Sequence, residues 1–63
     1  MDYFYSVYAG GVEVNDHTLT EKESFALAGE FILAGYDDVY ICVENVLSGA
    51  VQWLKINNQA EAK

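Results

Sequence analysis

Thr20-Glu21-Lys22-Glu23-Ser24-Phe25-Ala26-Leu27-Ala28-Gly29-Glu30-Phe31-Ile32-Leu33-Ala34-Gly35 decides the fold, because it carries helical punctuation at both ends. Thr20 and Glu23 have capping-box spacing. The Thr20 hydroxyl can accept from the Glu23 N–H while the Glu23 carboxylate reaches back to the Thr20 N–H. Glu21 and Glu23 also suit the positive end of a helix dipole. Gly35 is placed to take the left-handed conformation that closes a helix. One helix is therefore predicted from Thr20 to about Ala34.

A wheel at roughly 100° per residue puts Phe25, Ala28, Gly29, Ile32 and Tyr36 on one stripe, assigned to a sheet. Gly29 would let the helix approach that sheet closely, at a cost of about 1 kcal/mol in helix propensity. Leu27, Phe31 and Ala34 form a second apolar face, and only Lys22, Glu23 and Glu30 mark a polar side. A helix apolar around most of its circumference is normally covered on more than one side. Leu27 and Phe31 are accordingly expected to meet a partner.

Both flanks of the helix read as strand pairs. Upstream, Tyr3-Phe4-Tyr5-Ser6-Val7-Tyr8-Ala9 is dense in aromatic and β-branched residues. Gly10-Gly11 supplies a two-residue turn, and Val12-Glu13-Val14-Asn15 alternates as a half-buried strand should. Downstream, Val39-Tyr40-Ile41-Cys42-Val43 and Ala50-Val51-Gln52-Trp53-Leu54-Lys55-Ile56 are separated by a turn at Ser48-Gly49. The polar stretch 57–63 is expected to be a flexible tail. The order β-β-α-β-β predicts an α+β domain, with one helix packed on a four-stranded, mainly antiparallel sheet. Strand orders 2-1-3-4 and 2-1-4-3 both obey the connection rules. In either, the face away from the helix should carry some of Phe4, Tyr8, Tyr40 and Trp53.

Length and charge bound the function. A chain of 63 residues is one domain, and a domain of that size buries only about 60% of its unfolded surface. Yet 52% of its residues are hydrophobic and 14% aromatic, more than so small an interior readily absorbs. Ten acidic residues face three lysines and no arginine, for a formal charge of −7. Such a surface repels nucleic acid and anionic membrane and is drawn to basic surfaces. The longest nearly apolar run, Phe25 to Tyr36, contains Glu30 and falls short of the roughly 20 residues that span a bilayer. No basic n-region followed by an apolar h-region is visible, so a reduced cytoplasmic compartment is expected.

Catalytic chemistry finds little footing in these residues. His17 is the sole histidine and reads as a surface-loop residue beside Asp16. Cys42 is the sole cysteine, has no basic neighbour to lower its pKa, and reads as a small hydrophobe in a strand. Gly10-Gly11 joins two strands and does not match a nucleotide-binding loop. No catalytic residue, metal site or cofactor is expected. Asp37-Asp38, just past the helix, is explained by turn chemistry or by an acidic docking knob.

The expectation that follows is a non-enzymatic binding protein that docks on a larger protein, for instance a nucleic-acid-binding enzyme or complex, and inhibits or regulates it. Asp16, Glu23, Glu30, Asp37, Asp38 and Glu44 would meet the partner, standing in for phosphates. Leu27, Phe31, Tyr40 and Trp53 would supply apolar contact. In length and charge alone the chain resembles the very short acidic proteins with which bacteriophages disable host enzymes or defence systems. A homodimer is expected as well. The competing reading is a homo-oligomeric assembly module whose acidity serves only solubility.

Overall fold

Gly10 and Gly11 adopt φ of 65° and 83° in the computed structural model, which describes residues 2–56; the predicted tail, 57–63, lies outside the described residues. Positive φ at both positions is what a two-residue hairpin turn of matching twist requires. The turn pairs β1 (Tyr3–Ala9) with β2 (Val12–Glu13), Ala9 opposite Val12 and Tyr8 opposite Glu13. Strand β2 is shorter than the alternation predicts. Past Glu13, Val14 still donates to the Val7 carbonyl at 2.9 Å. The Asn15 side chain then takes over from backbone, its Oδ1 accepting from the Val7 N–H at 2.7 Å. Asn15 Nδ2 donates to the His17 carbonyl at 2.7 Å, which turns the chain away from the sheet. A single bridge, Tyr5 with Leu19, brings it back before the helix.

Helix α1 (Glu21–Leu33) begins with the predicted capping box: Glu23 N–H donates to Thr20 Oγ1 at 3.1 Å, and Thr20 N–H donates to Glu23 Oε1 at 3.0 Å. It ends as a Schellman motif. Gly35, at φ 105°, donates to the Ile32 carbonyl, and Tyr36 donates to the Phe31 carbonyl. The side chains seal the same end, with the Phe31 and Tyr36 rings edge-to-face at 5.3 Å. This is the hydrophobic contact that commonly accompanies such a cap.

The chain returns as β3 (Val39–Asn45), turns about Asn45 and leaves as β4 (Val51–Ile56). Asn45 Oδ1 accepts from the N–H groups of Leu47 and Ser48, which fixes the turn. The sheet is antiparallel throughout, in the order β2-β1-β3-β4. Of the two permitted orders it is 2-1-3-4, so the long strands β1 and β3 lie side by side at the centre. The protein is thus an α+β fold, one helix on a four-stranded sheet.

The core lies between helix and sheet. Val7, Val39 and Ile41 are fully buried, with Ala9 and Ala28 beside them. Leu54 and Ile56 of β4 and Leu27, Phe31 and Ile32 of α1 pack against that cluster. The helix is therefore turned by roughly a quarter of a circle from its predicted orientation. Leu27 and Phe31, predicted to face a partner, pack half-buried against the core, while Phe25 and Tyr36 are exposed. The cause is Ser24. It is fully buried, its hydroxyl satisfied by donation to the Glu21 carbonyl at 2.7 Å. A hydroxyl bonded within its own turn has lost its claim on water, so Ser24 with Ala28 forms the small-residue line along which the helix meets the sheet. Gly29 does not serve close approach, because a Cβ there would meet open space.

Candidate docking face

Strand alternation sends Val7, Ile41 and Leu54 to the helix and the residues between them to the opposite side. The register then fixes what lies together on that open side. Phe4, Glu44 and Val51 form one row across β1, β3 and β4; Ser6, Cys42 and Trp53 form the next; Tyr8, Tyr40 and Lys55 form the third. Glu13 of β2 extends the third row, opposite Tyr8. All four aromatics expected on this side of the sheet share it.

Trp53 is the centre of the group. Its ring meets Tyr8 edge-to-face at 5.0 Å and Tyr40 at 6.4 Å. The Lys55 ammonium stands 5.8 Å from the Tyr40 ring centroid. Trp53 is 52% exposed and Phe4 43%, and no other element of the described residues covers them. Tyr8, Gly11, Asp38, Tyr40 and Trp53 line an open depression at the upper end of this face. Asp38 is held there by its Oδ1, which accepts from the Gly10 N–H at 3.0 Å. That bond ties the segment after the helix to the first hairpin and gives one member of the Asp37-Asp38 pair a structural task.

The predicted carboxylates are not gathered into one patch. Asp38 and Glu44 border the aromatic face, and Glu13, outside the predicted set, joins them. Two-residue hairpin pairing sets Glu13 opposite Tyr8, so it was legible in the sequence. Asp37 is exposed next to Asp38. Glu23 is committed to the helix cap, and Glu30 lies exposed on the solvent side of α1. Asp16 accepts from His17 Nδ1 at 2.7 Å. That hydrogen bond, with help from its own backbone N–H and the His17 charge, lowers the Asp16 pKa.

Cys42 sits mid-face between Ser6 and Trp53. Partial burial first, then the nearby Glu44 and Glu13 charges, push its thiol pKa upward. At neutral pH it is therefore a poor nucleophile. Among the described residues no three His, Cys, Asp or Glu side chains are grouped to hold a metal ion, and no helix is long and apolar enough to cross a membrane. A second open groove, about 470 Å³, runs between the start of β1 and the start of α1, with Tyr3, Phe4, Tyr5 and Leu19 on its walls. No family model, curated protein or solved structure matches the chain.

Proposed function

We propose that this chain is a non-enzymatic docking protein that binds a basic surface of a larger protein through the open face of its sheet, and thereby inhibits or regulates that protein. The observation that carries this reading is the composition of the face. Its centre is aromatic, as the buried middle of a protein interface is, and its border is acidic, with Glu13, Asp38 and Glu44. The overall charge of −7 would steer it toward positive partners and speed encounter. Surfaces that hold nucleic acid are rich in Lys and Arg, so a nucleic-acid-handling protein is the partner class this chemistry favours.

The test is capture of binding partners from the native cell lysate by the immobilised chain, beside the double variant Tyr40→Ala/Trp53→Ala. A basic protein held by the native chain, lost with the double variant and released by moderate salt supports the reading. Equal capture by both chains overturns the assignment of the face.

A second reading has its own observation. Leu33 is 89% exposed and Phe25 46%, an apolar strip on the outer side of α1 that suits contact between copies in a homo-oligomer. Sedimentation equilibrium decides it: an assembly dissolved by Leu33→Glu and indifferent to the face variant would favour the assembly module.

A further inference from the structure

We infer that the depression bounded by Tyr8, Tyr40, Trp53 and Asp38 is a seat for an arginine side chain of the partner; this deepens the docking reading above and rests on it. Three features of the site select that ligand. The aromatic rings offer faces and edges to an incoming group, and a cation is drawn to the electron-rich face of such a ring. Lys55 places its own ammonium over one ring of the group, 5.8 Å from the Tyr40 centroid, an approach of the same kind. Asp38 then adds a fixed carboxylate at the rim. Its Oδ1 is engaged by Gly10, which orients the group, and a carboxylate has a second oxygen to accept from an incoming donor. Gly11 completes the lining without a side chain to obstruct entry.

A guanidinium fits this combination better than an ammonium. It is planar and weakly hydrated, so it can lie against an aromatic ring while its N–H groups donate to a carboxylate in the same plane. An ammonium is a compact, strongly hydrated charge, and Lys55 already supplies one at Tyr40. Stacked nucleobases also use aromatic platforms, but their phosphates would meet Asp38, Glu13 and Glu44 with no arginine to neutralise them.

Trp53 is the only tryptophan, so its fluorescence reports on the seat directly. The probes are acetylated, amidated tri-arginine, tri-lysine and tri-citrulline peptides and a short oligothymidylate, all at one ionic strength. Tri-arginine should perturb Trp53 emission saturably and bind about tenfold tighter than tri-lysine. Tri-citrulline, of similar shape but neutral, and the oligonucleotide should be silent. Asp38→Asn keeps the Oδ1 acceptor for Gly10 and should weaken tri-arginine roughly fivefold, whereas Asp37→Asn, the same charge change one residue away and outside the lining, should cost less than about twofold. Circular dichroism confirms that both variants are folded.

Equal binding of the arginine and lysine peptides, with equal losses in the two Asn variants, would overturn the seat and leave diffuse attraction to basic surfaces standing. Binding of the oligonucleotide would overturn the seat and the docking reading together. Silence from every peptide, while a basic partner is still captured through Tyr40 and Trp53, would remove the seat alone.

Discussion

The two faces of the sheet are made by the same strands in alternation, yet they are built to opposite specifications. Toward the helix stand Val7, Val39 and Ile41, branched, without polar atoms and fully buried. Away from it stand Phe4, Tyr8, Tyr40 and Trp53, large rings set among Glu13, Glu44 and Lys55. Branched aliphatics fill a core at close to crystalline density. Tyr and Trp pair a wide apolar area with a polar group, so they can stand partly in water where a branched aliphatic is better buried. The difference teaches that apolar content alone does not locate a core. Here the branched aliphatics hold the fold together, while on the far side Phe4 and Trp53 stand exposed and Tyr8 and Tyr40 half-buried.

The sharpest way to break this comparison is to truncate one residue on each side. Ile41→Ala should cost about 2–5 kcal/mol, which is most or all of the stability a domain this small commands. Trp53→Ala should cost less, about 2 kcal/mol, because a half-exposed ring loses two edge-to-face contacts and only part of its buried area. Urea unfolding followed by far-UV circular dichroism reads both. Equal losses would mean that the open face is core.

The same contrast can be drawn on the helix. Phe31→Glu forces a carboxylate against the core and strips the Tyr36 contact, so a loss of about 3 kcal/mol is expected. Leu33→Glu, two residues away, should stay within about 0.5 kcal/mol. Thermal melts distinguish them, and a reversed order would restore the helix orientation expected from the wheel.

Smaller effects test the helix ends and middle. Thr20→Ala removes the hydroxyl half of the capping box and should lower the stability by about 1 kcal/mol in the same urea experiment. Gly29→Ala should raise it by about 0.5–1 kcal/mol, since the new methyl group meets open space and the helix loses its most flexible residue. A destabilised Gly29→Ala protein would show that this glycine serves close packing after all.

Much of this was readable from residue types. The capping box at Thr20 and Glu23, the closing glycine at 35 and the two-glycine hairpin are local signals, each settled by atoms within a few residues of one another. The aromatic membership of the open face was also legible, because alternation is a property of a strand and needs only its phase. The packing of Leu27 and Phe31 on the core was not recoverable in the same way. Ser24 counts as polar on a wheel, and only its bond to the Glu21 carbonyl makes it fit for burial.

Sequence by itself thus determined the element order, the caps, the turns, the acidic character and the presence of an aromatic face. Tertiary structure decided the rest. It placed β1 beside β3, turned the helix onto Ser24 and Ala28, and drew Asp38 to Gly10 at the rim of the aromatic depression. It also scattered the carboxylates over several elements. The physical reason is range. Caps, turns and alternation are set by neighbours along the chain, whereas strand order, helix rotation and the company a side chain keeps depend on contacts between residues far apart in sequence, whose energies no local window contains.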